Sequence, residues 1–285
     1  MRAKAVYLIV VMLIAGSWLA NYGYYRYYRL PEPGFLRHYI ETTYTPSVAF
    51  DLLYVANKDD LRKPTSVTAK GLEALLFYPV QVHQELSSHT IYILRGYFDV
   101  NRMSERSEEA EEPLRLNSVT VYYSDGTMSE ENVGEIIVYR PVWPPETSKE
   151  PPVRMSMAGS SSDHGGRAVV SVNRQVTLTG LTSAWLEKLG DSFRYELKTA
   201  ASETPQTSDA SPPLELSEGQ AVTLDYRFRM QGTSDALSVY NVQLRERYEE
   251  PGGDSYIYTV FANYTPYPTD AQMRAYVREI RGRKD

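Results

Sequence analysis

From Ala5 to Tyr25 the chain carries no charged residue, and at roughly 1.5 Å per helical residue this stretch spans about 31 Å, the depth of a bilayer's hydrocarbon layer. The pattern predicts a transmembrane helix over 5–25, a cytoplasmic tail over 1–4 and a juxtamembrane stalk over 26–34. Trp18, Tyr22, Tyr24, Tyr25, Tyr27 and Tyr28 fall where amphipathic rings prefer the headgroup layer, so they are the candidate membrane-interface residues. Arg2 and Lys4 precede the apolar run, which predicts the N-terminus inside and the bulk of the chain outside. Arg26, Arg29 and Arg37 lie on the other flank and pull the opposite way. A cleaved signal peptide is the competing reading: Val6 to Ile14 is a short apolar core, and Ala15 and Ser17 have the small-x-small spacing of a cleavage site, which would give a secreted protein. The apolar character resumes at Trp18 to Ala20, which favours the retained anchor.

Beyond the stalk the continuous apolar run gives way to short alternating segments. Ser47 to Val55, Leu75 to Val82 (broken by Pro79) and Thr90 to Phe98 read as strands. Asn101 to Pro113, rich in glutamate, reads as a solvated loop. Ser118 to Tyr123 leads into Asp125-Gly126, whose tolerance of positive φ marks a hairpin turn, with Gly134 to Tyr139 as the returning strand after an extended loop.

Prolines and small polar residues then predict a linker over 141–163, dividing a β domain at 35–140 from a second at 164–285. In the second, Arg167 to Leu181 gives two strands around Asn173, Thr182 to Gly190 a short helix, and Ser192 to Lys198 another strand. Thr199 to Pro213 is too poor in apolar residues to pack and reads as a mobile loop. The clearest alternation is Ala221 to Met230, with Val222, Leu224, Tyr226, Phe228 and Met230 on one face. Leu237 to Tyr248 and Ser255 to Tyr264 form a hairpin across a Pro-Gly-Gly connection. A terminal helix starts at Thr269 and Asp270, with Met273, Tyr276, Val277 and Ile280 as its apolar stripe. The fold class is therefore mainly β: a membrane helix followed by one or two antiparallel β-sandwich-like domains, with a short helix near 182–189 and a C-terminal helix.

Composition narrows the functional classes. A net charge of −6 argues against non-specific nucleic-acid binding, which needs clustered cations. With no cysteine, the fold relies on its core rather than on disulfides. Tyrosine is the outlier, 24 against 7 phenylalanines, and suits both half-buried sheet faces and wet recognition surfaces.

No constellation identifies a reaction. His38, His83, His89 and His164 lack the spacing of zinc ligands. Ser162-Asp163-His164 holds all three triad residue types, but triad members meet through the fold and not as chain neighbours. Asp99 and Asn101 lack the rest of an EF-hand loop. Neither glycine pattern of nucleotide-binding loops occurs. Glu135, Asp225 and Glu246 lie on predicted strands, and a convergent pair would suit envelope glycan hydrolysis, the leading enzymatic alternative. Arg274, Arg278, Arg281, Arg283 and Lys284 make a basic terminal face able to meet anionic headgroups or polymer. The sequence thus predicts a membrane-anchored, extracytoplasmic, non-catalytic protein without metal or cofactor. Its expected partners are the lipid bilayer and either an envelope polymer or a membrane-protein partner.

Overall fold

A computed structural model describes residues 2–46, 48–103, 112–141, 150–200 and 207–282. Most of the acidic loop, the first part of the expected linker, the middle of the 199–213 loop, and Arg283 and Lys284 fall outside the described residues. In chain order the elements are α1 (Arg2–Tyr28), β1 (Gly34–Phe35), β2 (His38–Thr43), β3 (Ala49–Asn57), β4 (Pro64–Thr68), β5 (Leu75–Phe77), β6 (Gln81–Glu85) and β7 (His89–Phe98). There follow β8 (Leu114–Tyr123), β9 (Met128–Tyr139), β10 (Val153–Ser160), β11 (Gly165–Val172), β12 (Val176–Thr182) and α2 (Leu186–Leu189). The chain ends with β13 (Phe193–Ala200), β14 (Thr207–Ala210), β15 (Leu214–Leu216), β16 (Ala221–Phe228), α3 (Thr233–Ala236), β17 (Val239–Glu249), β18 (Ser255–Tyr264) and α4 (Asp270–Gly282).

The protein is mainly β, and its strands form three sheets. The largest runs β15-β12-β17-β2-β9-β8-β4, with β18 also on β17. It therefore draws strands from both sides of the expected 141–163 linker. A second sheet runs β1-β3-β7-β5 with β6 also on β7, and a third runs β10-β11-β16-β13-β14.

Strand β2 is the centre of this arrangement. It pairs parallel with β9 on one side and with β17 on the other, so the expectation of purely antiparallel sheets is corrected there. Its two faces enter different cores, because alternate residues of a strand point opposite ways. Tyr39 joins a cluster with the third sheet's Val170, Leu224 and Phe228, whereas Ile40 joins one with Leu52, Leu94 and Phe98 of the second. β9 alternates in the same way, Ile137 to the first core and Ile136 and Val138 to the other.

Two buried polar residues pin β2. The Leu53 N–H donates to His38 Nε2 at 2.8 Å; Nδ1 therefore carries the proton and donates to the Val133 carbonyl at 2.8 Å. Glu41 accepts from the Tyr139 hydroxyl at 2.7 Å, the Ala184 N–H at 2.9 Å, the Gln243 N–H at 3.0 Å and the Ser183 hydroxyl. Gly134 permits the close β2/β9 approach: its φ is +101°, and a Cβ there would lie 2.3 Å from the His38 carbonyl oxygen.

Several local expectations change. Residues 153–160, expected in the linker, form edge strand β10 on β11, with Met155 and Met157 exposed. β9 begins at Met128 rather than after a long loop, since Tyr122 already pairs with Met128 across a tight turn in which Gly126 has φ +80°. Its first polar residues alternate, with Ser129 and Glu131 bonded to the Tyr123 hydroxyl and Glu130 and Asn132 exposed on the other face. Residues 207–210, placed in a loop by their composition, pair with β13. The short helix contracts to Leu186–Leu189 followed by a 3-10 turn at Gly190–Ser192.

Candidate functional site

The longest apolar segment and the C-terminal helix meet at one junction. α1 contains a stretch, Val6–Tyr28, long and apolar enough to cross a membrane, and its residues from Val6 to Tyr24 are exposed. At its end the chain stops being helical and becomes part of the β body. Leu30 is buried with Leu36, Leu53, Val55, Met273 and Val277. Its N–H donates to Asn57 Oδ1 at 2.8 Å, and Asn57 Nδ2 returns a bond of 3.3 Å to the Leu30 carbonyl. Arg29 pairs with Asp60 at 2.7 Å and Asp59 at 3.3 Å; the Asp60 hydrogen bond holds its guanidinium pKa above the usual arginine value.

α4 supplies the other side of the junction. Thr269 and Gln272 cap one another's backbone and side chain, so the helix starts where the Thr-Asp pair predicts. Asp270 accepts the Ser87 N–H at 2.9 Å and its hydroxyl at 2.8 Å, fixing α4 against the turn before β7. Met273 and Val277 are fully buried. Arg281 then donates to the carbonyls of Arg26 and Arg29, both at 2.8 Å, where the last turn of α1 leaves acceptors without helical partners. The buried His89 ring sits near the Tyr28 carbonyl.

The six interface candidates divide around this junction. Trp18, Tyr22, Tyr24 and Tyr27 are exposed, while Tyr25 and Tyr28 are half-buried against the body. Tyr28 packs edge-on to Tyr24 and Tyr27 at 4.7 and 4.9 Å. The Arg281 guanidinium lies 5.9 Å from the Tyr27 ring centre and Arg274 6.0 Å from that of Tyr28. The basic terminal face is thus partly engaged with α1. Sequence reasoning missed Arg29, Asn57 and Asp60 as junction residues, since nothing in the spacing of Leu30 and Asn57 signals their contact.

A tyrosine-bearing face is present on the second sheet. Tyr78 and Tyr97 stand 4.5 Å apart beside a bidentate Arg95–Asp51 pair at 2.7 and 3.0 Å, around a cleft of about 440 Å³. Aromatic pairs of this kind stabilise a sheet by themselves, and the exposed half of Tyr78 also offers a contact surface.

The candidate carboxylates do not converge. Glu135 on β9 is paired with Arg115. Asp225 on β16 is bound by Arg167 and Lys198, which hold its carboxyl below the usual range. Glu246 is fully buried, where desolvation raises it to about 7, and among the described residues it accepts one hydrogen bond, from the Tyr248 hydroxyl at 2.7 Å. The Ser162-Asp163-His164 segment is the turn joining β10 to β11. Asp163 there pairs with Arg227 at 2.7 Å, and the His164 ring packs on Tyr264. His83 lies against Tyr267 while His89 turns toward Tyr28, so the two are separately engaged. Among the described residues no group of three or more His, Cys, Asp or Glu could hold a metal.

No protein-family model and no curated relative matches this sequence. Among solved structures, the YadV chaperone aligns with 7% identity and a TM-score of 0.25, covering 81% of this chain and 98% of its own. A protein of unknown function from Porphyromonas gingivalis W83 aligns with 12% identity and a TM-score of 0.24, over 83% and 97% of the two chains. At these TM-scores neither likeness carries an argument about fold or function.

Proposed function

We propose that this chain is a single-pass membrane-anchored, extracytoplasmic and non-catalytic protein. Its sheets stack as β-sandwich-like units that bind a partner protein or envelope polymer or support a membrane assembly. The observation that carries this reading is the junction: Arg281, Arg29 and Leu30 tie the apolar helix to the β body through buried contacts and ionic hydrogen bonds rather than through a free tether. Such a connection holds a binding surface at a fixed height and angle over the bilayer. The separation of the carboxylates favours binding over hydrolysis, because a glycosidase needs two carboxyl groups flanking one bond, with the acid's pKa raised.

The test is co-sedimentation of the full-length, detergent-solubilised protein with insoluble cell-envelope material, followed by mass spectrometry of the supernatant. Retention with no released fragments is expected. Soluble glycan fragments that depend on the protein would overturn the non-catalytic reading.

A further inference from the structure

The outer face of the third sheet contains two neighbouring rows of charge that are treated differently. In one row Arg167, Asp225 and Glu196 lie side by side, and Lys198 closes the set with bonds of 3.2 Å to Asp225 and 2.7 Å to Glu196. That row is internally compensated. In the next, the register sets Arg227 directly opposite Arg194, with Gly165 on its other side. Directly opposed residues of an antiparallel pair have Cβ atoms about 5 Å apart, where like charges repel. Arg229, just past the end of β16, lines the same groove. Of these three arginines only Arg227 has an ion-pair partner, Asp163, and both members are half-exposed; Arg194 and Arg229 have none among the described residues.

The surface is shaped as well as charged. An open groove of about 880 Å³ runs over these residues, with half-exposed Tyr195 and Met157 lining it. Gly165 leaves the floor beside Arg227 without a side chain. At Gly166 a Cβ would lie 2.3 Å from the Tyr226 ring, so the close packing there also requires glycine. A chain of net charge −6 has no compositional reason to set guanidinium against guanidinium. Planar guanidinium donors pair best with carboxylate and phosphate oxygens, and such an anion would relieve the repulsion that the fold leaves in place.

We propose that this groove binds an anionic polymer bearing phosphate or carboxylate groups, with Arg194, Arg227 and Arg229 as its principal contacts. The proposal rests on the envelope-facing reading for the polymer's origin, and the groove's openness suits an extended chain rather than an enclosed small molecule.

The experiment is a titration of full-length protein in uncharged micelles with inorganic polyphosphate and, separately, oligogalacturonate, using dextran as the neutral control. Binding of at least one anionic chain is expected, weakening with added salt. Arg194→Gln and Arg229→Gln should each weaken it about tenfold, as loss of a charged hydrogen bond does. The two arms identify phosphate or carboxylate as the preferred group. Unliganded Arg194→Gln should unfold no more readily than the native chain, because the substitution removes a repulsion. Equal binding by native protein and R194Q, equal binding of dextran, or destabilisation of the unliganded R194Q chain would each overturn the site. Failure of the native protein to bind either anionic chain, with the anchor and outward orientation intact, defeats this inference alone. An inward orientation defeats the envelope reading and leaves the titration result standing.

Discussion

Arg281, in the last turn of the C-terminal helix, donates at 2.8 Å to the carbonyl of Arg29 just past the end of the apolar helix α1, across 252 positions of sequence. The same guanidinium reaches the Arg26 carbonyl. A cation at a helix C-terminus satisfies stray carbonyls and opposes the helix dipole together. Arg281→Gln should therefore lower stability by about 1 kcal/mol, since the site is partly exposed. It should also speed hydrogen exchange selectively in residues 26–36. Uniform exchange changes, or none, would show that α4 does not hold the junction.

Two buried groups give opposite pH dependences. Burial, opposed only by backbone hydrogen bonds, lowers His38 to about 4 from 6.5. Between those values the unfolded chain binds the extra proton, so stability falls on acidification by about 1.4 kcal/mol per pH unit. Glu246 is raised by burial from 4.5 to about 7, so there the folded chain binds the extra proton and stability falls as pH rises from 4.5 to 7. From pH 4.5 to 6.5 these two slopes oppose each other. Glu246→Gln should expose the histidine slope, reinforced by His83 and His89, which burial also lowers. Urea unfolding of E246Q should show stability climbing with pH across that window more steeply than in the native chain. Parallel pH profiles for the two proteins would contradict it.

Glu41 joins parts of the chain that are far apart in sequence. Its carboxylate holds donors from residues 139, 183, 184 and 243 inside the protein. Glu41→Ala strands these donors, and a loss of about 4 kcal/mol is expected from several unsatisfied buried groups. Denaturant unfolding measures it. A loss below about 1 kcal/mol would mean that the network contributes little to holding β2 in place.

What the sequence disclosed follows the range of the interactions involved. β16 carries its alternation openly, with Val222, Leu224, Tyr226 and Phe228 buried as their period requires. α4 was legible from its Thr-Asp start and from Met273 and Val277 at four-residue spacing. β2 was not, because His38-Tyr39-Ile40-Glu41 shows no polar and apolar alternation. It is buried on both faces, and its polar residues find partners on distant strands. β10 and β14 were missed for a related reason: as edge strands they are held by ladder hydrogen bonds that composition does not reveal. At the junction, the tyrosines of α1 were visible as a group, while Arg281's role depended on where α4 docks.

The orientation of the anchored chain is the claim on which the functional account turns, and the absence of native cysteine allows it to be read directly. Single variants Leu61→Cys, at a position 92% exposed, and Lys4→Cys should be treated in intact cells with a membrane-impermeant maleimide. The account predicts labelling of L61C in intact cells and of K4C only after lysis, on full-length chains in the membrane fraction. Labelling of K4C but not L61C in intact cells, or a membrane-free chain lacking residue 4, would contradict it.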